Sequence, residues 1–246
     1  MRPASTTSPP RRRDHRDVRR YAAMLSLALL AWNNLVHLVP GTQLAYVPLN
    51  LAAAGAVVGT ARHCGLSWSD LGLRRDRLRS GACWGGAVAA AIAAGLAVAV
   101  AVPGLHPLLD DARVRRLGPG AVAYHVLVRV PLGTVVLEEV AFRGALFGAL
   151  AHGGRRRLWA AAASSAVFGL WHIRPTLGLL DANDVVDDPV ARGVTVALAV
   201  ATTAAGGMLF CLLRVRCGCT LAPVVAHTAT NALGILAAAT VQRVVS

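Results

Sequence analysis

The chain has 246 residues, 55% of them hydrophobic, and a formal net charge of +13. Its mean hydropathy of +0.54 is high for a soluble domain and ordinary for a polytopic membrane protein. The charge points to a lipid bilayer and not to a nucleic acid. The basic residues, all arginine apart from histidine, fall mostly in short stretches between apolar runs, as cytoplasmic loops do.

Residues 1–20 (MRPASTTSPPRRRDHRDVRR) are polar, proline-containing and basic, and read as a disordered cytoplasmic tail. The apolar run that follows continues to about Val39 with no convincing cleavage site, so an uncleaved membrane helix is preferred to a signal peptide. Residues 21–246 then make a single transmembrane domain. A bilayer core takes about 20 helical residues to cross. Seven spans are predicted, at 21–39, 44–61, 81–103, 119–151, 158–173, 190–213 and 219–241. The expected fold class is all-α, a polytopic helical bundle with its active site inside.

Within the second span, Gly55 and Gly59 suit close helix packing. The third alternates valine with alanine, but both faces are apolar and the run is too long for a strand. The fourth contains Pro131 and is expected to bend or split there. His125 and Arg129 either line the cavity or, with Pro131 in the first turn of a restarted helix, fall at the outer interface, and the second placement is preferred.

The connections fix an orientation. With the tail inside, the inner loops carry Arg62, Arg74, Arg75, Arg77 and Arg79, then Arg155, Arg156 and Arg157, then Arg214 and Arg216. The 174–189 connection falls outside, as a solvated loop holding Asp181, Asp184, Asp187 and Asp188. The 104–118 connection is mixed. The positive-inside pattern places the N-terminus in the cytoplasm and the C-terminus outside. Trp32, Asn33 and Asn34 read as packing and interhelical hydrogen bonds. His37, His63, His106 and His152 read as solvated. The five cysteines, Cys64, Cys83, Cys211, Cys217 and Cys219, have no zinc or disulfide spacing.

Against this apolar background a few polar residues stand out. A charge at the bilayer centre costs at least about 2.5–3.5 kcal/mol, so ionisable groups retained there are functional by default. Glu139 and Arg143 are four residues apart and stack on one helix face, where they can pair. Glu138 is turned about 100° away. One carboxylate can therefore be tied to the arginine while the other is left to take and return a proton. Phe168 and His172 lie one turn apart on the next span, with Trp171 between them as a candidate for an interfacial aromatic belt. His227 and Asn231 share a face of the last span, and both can donate to an oxyanion. By the span limits, Glu138 and His172 lie about 20 Å from their inner helix ends and His227 about 12 Å, a mismatch in depth.

Two chemistries fit a glutamate, two histidines and an asparagine. In one, Glu138 and His172 polarise a water that attacks an amide carbonyl while His227 and Asn231 hold the oxyanion. In the other, the histidines and a glutamate hold a zinc ion that activates the water. No HExxH motif is present, but ligands from separate helices can converge.

EExxxR (Glu138, Glu139, Arg143), FxxxH (Phe168, His172) and HxxxN (His227, Asn231), in that order on successive apolar helices, resemble the CAAX-protease and bacteriocin-processing family. These are intramembrane glutamic endopeptidases, also called the Ras-converting or Abi family. The resemblance covers about half the chain, with a motif-bearing core at 119–241. Asp70-Leu71-Gly72-Leu73-Arg74 also looks like a family element. The resemblance implies metal-independent peptide hydrolysis without a cofactor. Glu138 becomes the catalytic glutamate and His172 its partner in activating water. His227 and Asn231 become the oxyanion hole, and Glu139, Arg143 and Phe168 the supporting groups. The implied partner is a peptide or protein substrate at the membrane, prenylated in eukaryotic members. The arginine-rich, short-looped chain looks bacterial, so a plasma-membrane location is expected and a prenylated substrate is not. A non-catalytic peptide-binding protein, such as a bacteriocin immunity or transport accessory factor, is the rival reading. A proton-coupled transporter lacks its usual pair of broken helices in two related halves.

Overall fold

The computed structural model describes residues 15–35, 42–154, 156–184 and 188–245, so residues 1–14, His37, Arg155 and Asp187 lie outside it. It contains eight principal helices: α1 (His15–Leu35), α2 (Tyr46–His63), α3 (Leu78–Ala101), α4 (Pro119–Ala151), α5 (Arg157–Trp171), α6 (Ile173–Asn183), α7 (Pro189–Cys217) and α8 (Leu221–Val244). No strand occurs among the described residues. Seven of the eight helices fall on the seven predicted spans. Four of them, α3, α4, α7 and α8, are long and apolar enough to cross a membrane. The 15 residues of α5 extend only about 22 Å.

Three features differ from expectation. First, α1 begins at His15, so the polar segment up to Arg20 is already helical at its end. Second, Pro131 does not split the fourth span. Pro119 occupies the first turn of α4 and the helix runs on to Ala151. Wider π-helical turns cover His125–Val135, and there the N–H of Val136 donates to the Pro131 carbonyl. The missing N–H of a proline removes one rung of the ladder, and the π register absorbs that loss without ending the helix. Asn50 of α2 donates to the Gly133 carbonyl at 2.7 Å and ties the two helices together beside the proline. Third, the connection after His172 is not a loop. It folds as α6, with Pro175 at the third helical position, where its absent N–H needs no partner. Asp181 at the end of α6 pairs with Arg192 at 2.5 Å, and Asp188 caps α7 by accepting from the Ala191 N–H at 2.7 Å.

The connections gather on two faces. On one, Asn183 at the end of α6 accepts from the Ala112 N–H at 2.8 Å, and Gln242 near the end of α8 donates to the Asp111 carbonyl at 3.0 Å. On this face the Arg115 guanidinium, hydrogen-bonded to Asp110, holds that carboxyl below the usual carboxylate range. On the other face, the arginine-rich α2–α3 connection turns back into the bundle. Leu66 and Leu71 are buried. The Gly72 carbonyl accepts from the Thr220 N–H at 2.9 Å, and the Thr220 hydroxyl donates to the Leu71 carbonyl at 2.9 Å. Gly72 has a φ of +67° and a Cβ there would meet Thr220 Oγ1 at 2.4 Å, so only glycine fits.

The expected depth mismatch does not keep the motifs apart, since His227 Nε2 stands 3.8 Å from Glu138 Oε2. Asp70 packs on Gly148 in the last turn of α4 while Gly72 packs on Thr220 at the head of α8, so one turn ties the two helices together. The predicted close approach at Gly55 and Gly59 is not made, since nothing lies within 4 Å of a Cβ at either position. Tight crossings are instead made between α3 and α8, where Gly85 lies under Ala222 and Val225, and between α5 and α7, where Gly169 lies against Val200 and Ala204. A Cβ at Gly148 would sit 2.5 Å from the Asp70 carbonyl oxygen. Gly148→Ala is therefore expected to cost about 1–3 kcal/mol by overpacking. A lowered midpoint of thermal unfolding in detergent checks this, with Gly55→Ala as the variant that leaves the midpoint unchanged.

Candidate active site

The long helix α4 presents both carboxylates from its middle, where three residues of α-turn (Val136–Glu138) separate two π-helical stretches. Such wide turns are frequent at functional sites. Glu139 and Arg143 are both fully buried, with Glu139 Oε1 accepting from Arg143 Nη1 at 2.9 Å. The guanidinium lies between two rings, 3.9 Å from the Phe168 centroid and 5.1 Å from that of Phe210. Gly207 of α7 lets it approach, because a Cβ there would stand 3.3 Å from Arg143 Nη2.

His227 closes the arrangement from α8. Its Nδ1–H donates to the same Glu139 Oε1 at 2.8 Å. Its other nitrogen, Nε2, stands 3.8 Å from Glu138 Oε2 and accepts from the Asn231 amide at 3.2 Å. Phe210 stacks on the imidazole with centroids 5.2 Å apart, and Phe168 meets it edge-on at 6.1 Å. Asn231 belongs to a third π-helical stretch, Ala229–Leu233. Glu139 is therefore shared: it is bound by the arginine on its own helix and by a histidine from another. The i, i+4 spacing foretells the first contact and says nothing of the second.

Glu138 is bound differently. It is 6% exposed and has no arginine partner among the described residues. Its Oε1 accepts from the Trp171 indole N–H at 3.2 Å, while Oε2 has no hydrogen-bond partner among the described residues. Trp171 is buried, not in an interfacial belt as the sequence suggests. It is held in place by Phe142, edge-on at 5.6 Å, and through its carbonyl, which accepts from Asn33 of α1 at 2.6 Å. Asn33 does make the interhelical bond its sequence position predicts, and Trp32 donates to Asn50 at 3.1 Å. The side chain of Asn34 is outside the described set.

His172 sits at the break between α5 and α6. Its Nδ1–H donates to the Phe168 carbonyl at 2.8 Å, which leaves Nε2 as the accepting nitrogen. Phe168 lies against it at 4.5 Å between centroids. A cavity of 370 Å³ is lined by Glu138, His172 and Asn231, with Trp171, Arg129 and Arg113 completing its polar wall. Arg129 thus lines the cavity instead of the outer interface. It donates to Gln43 at 3.0 Å and lies 3.9 Å over the Tyr46 ring. Arg113 comes from the short helix Ala112–Arg115 in the 104–118 connection, so the cavity runs from Glu138 toward the face opposite the inturned loop.

All seven residues singled out in the sequence therefore meet in one place, four around the ion-paired core and three on the cavity wall. Trp171, Phe210, Arg129 and Asn33 are additions that no motif announces. Their one shared signal is a polar or aromatic group inside an apolar run. Among the described residues no three His, Cys, Asp or Glu side chains stand as a group around a common metal position. Three other histidines are peripheral: His63 is exposed, His106 Nε2 lies 2.9 Å from the Val100 carbonyl, and His152 Nδ1 lies 3.8 Å from Asp70.

No curated protein and no solved structure matches the chain. Residues 120–233 match the model of the family described as type II CAAX prenyl endopeptidase Rce1-like. That segment runs from the first turn of α4 to the π-helical stretch of α8 and contains the seven residues of the three motifs, with Arg129, Trp171 and Phe210, while Asn33, Tyr46, Asn50 and Arg113 of the cavity wall precede it. Over the stretch that carries all three motifs, then, the chain is similar to the Rce1-like type II CAAX prenyl endopeptidases, a family of membrane proteases.

Proposed function

We propose that the protein is an intramembrane endopeptidase that hydrolyses a peptide bond with a water activated by Glu138 and His172. The observation that carries this reading is the unequal treatment of the two adjacent glutamates. Each keeps one oxygen without a hydrogen-bond partner among the described residues, but Glu139 is tied to a cation and to His227, whereas Glu138 has neither bond and lines the cavity. A base needs a free lone pair near the water it deprotonates, and Glu138 has one.

The steps follow from the contacts. Water in the cavity gives a proton to Glu138 and shares its remaining hydrogen with His172 Nε2. Its oxygen bonds to the amide carbon, and the carbonyl electrons move to the oxyanion. Asn231 donates to that oxyanion. His227 donates as well when its ring carries two protons, because its Nδ1–H is already given to Glu139. Collapse breaks the carbon–nitrogen bond, and Glu138 returns its proton to the leaving amine. Glu139, Arg143 and Phe168 hold the imidazole of His227 in place. The substrate is a peptide or protein segment that can enter from the bilayer or its surface. The arginine-rich face is cytoplasmic on this reading, as the positive-inside pattern requires.

Purified protein in detergent, incubated with membrane-anchored peptides, tests the proposal. Cleavage is expected to persist in chelator and to fall by about 10²-fold or more in His172→Ala. Loss of cleavage in chelator, restored by added zinc, would replace the glutamate mechanism with a metal one.

A further inference from the structure

A second cavity, of 350 Å³, opens on the arginine-rich face and shares no lining residue with the one that holds Glu138. Its wall carries Arg74, Arg77, Arg157, Arg214 and Arg216 against one carboxylate, Asp70. That carboxylate is engaged locally, accepting from the Ser67 N–H at 2.8 Å and the Ser67 hydroxyl at 2.7 Å. Arg74 and Arg77 share Asp76. Arg157, Arg214 and Arg216 have no carboxylate within ion-pairing distance among the described residues.

Arg214 is the most constrained of these. It is 7% exposed, lies 4.4 Å over the Phe147 ring and gives one amino group to the Asp70 carbonyl. Its Nε, against Gly72, has no hydrogen-bond partner among the described residues. A buried cation with no carboxylate in contact is costly, and so is the mutual repulsion of five guanidiniums around a cavity that holds one carboxylate. An anion seated there relieves both. Planar guanidiniums match phosphate oxygens in forked pairs.

The surroundings indicate which phosphate. The three tryptophans exposed among the described residues, Trp68, Trp84 and Trp159, belong to the same end of the bundle. Arg62 lies 4.8 Å over Trp68, and Arg216 lies 5.1 Å over Trp84. Exposed tryptophan collects at the level of lipid headgroups, and basic pockets between helices at that level hold anionic headgroups. We infer that this cavity is a binding site for a phosphate-bearing anion, supplied by the headgroup of an anionic membrane lipid. The bound phosphate pairs with guanidiniums among Arg157, Arg214 and Arg216, lowers their mutual repulsion and clamps the Asp70–Gly72 turn to α7.

The test follows thermal unfolding of the full chain, delipidated in uncharged detergent, while phosphatidylglycerol, phosphatidylcholine or inorganic phosphate is added separately. Phosphatidylglycerol is expected to raise the midpoint along a saturating curve. Phosphatidylcholine is expected to leave it unchanged, and inorganic phosphate to act only at far higher concentration. Arg77→Ala combined with Arg157→Ala removes two exposed cations that take no part in the loop's packing. It is expected to weaken the phosphatidylglycerol response by about tenfold while the lipid-free midpoint does not fall, because two mutually repelling cations are gone. An undiminished response in this variant, or a midpoint indifferent to phosphatidylglycerol, would overturn the site. Equal potency of inorganic phosphate and phosphatidylglycerol would overturn the lipid as its source.

Discussion

Glu138→Gln is expected to lower the rate of peptide cleavage by about 10³-fold, the middle of the range for loss of a positioned general base, with the protein still inserted and folded. The amide keeps the shape of the carboxyl group and can keep its acceptor oxygen on the Trp171 indole, 3.2 Å away in the native site. What it loses is the ability to take a proton at the oxygen that is unbonded in the native site. The comparison with Glu139→Gln separates the two carboxylates, since that change should act through the Arg143 and His227 contacts and so affect stability as well. Cleavage assays beside unfolding midpoints read both. If Glu138→Gln cleaves at the native rate, Glu138 is not the base. If a cellular phenotype survives Glu138→Gln but is lost when the cavity is filled by bulky side chains, the non-catalytic binding role is the correct one.

The second large effect concerns the buried ion pair. Arg143→Met should destabilise the fold by about 3–5 kcal/mol, because it strands an ionised Glu139 with no cation beside it. Glu139→Gln made together with Arg143→Met should recover most of that loss, since removing both charges leaves none unpaired. The recovered protein should remain poor in cleavage. His227 then leans on an amide in place of the carboxylate that holds its Nδ1–H at 2.8 Å. Recovery of stability without activity would place the pair in positioning. Recovery of both would make it purely structural.

Much of this site is legible one helix at a time. Glu139 with Arg143, Phe168 with His172 and His227 with Asn231 are each four residues apart, and helical periodicity alone puts each pair on one face. What periodicity cannot give is the partner across helices. That His227 shares Glu139 with Arg143, and that Trp171 serves Glu138, depend on how α4, α5 and α8 pack. Pro131 misled for a different reason. Proline's usual effect is to break a helix, but local widening to a π register has no residue signature and carries α4 through. The aspartates at 181, 184, 187 and 188 suggested a loop over 174–189, although three of the four gather at its far end and leave the stretch up to Asn183 free to be helical. Helix rise and span limits alone cannot place His227 level with Glu138, because the head of α8 is positioned by bonds from Thr220 to the backbone of Leu71 and Gly72.

That positioning limits how far the protein can be trimmed. The stretch matching the protease family starts at residue 120, yet Asn33 secures Trp171, Asn50 secures the proline turn of α4, and Leu71 and Gly72 bind the head of α8. All four precede the matching stretch. An isolated fragment of residues 120–233 would carry each reactive side chain and lack the scaffold that sets their spacing, so the smallest competent polypeptide must include the first three helices.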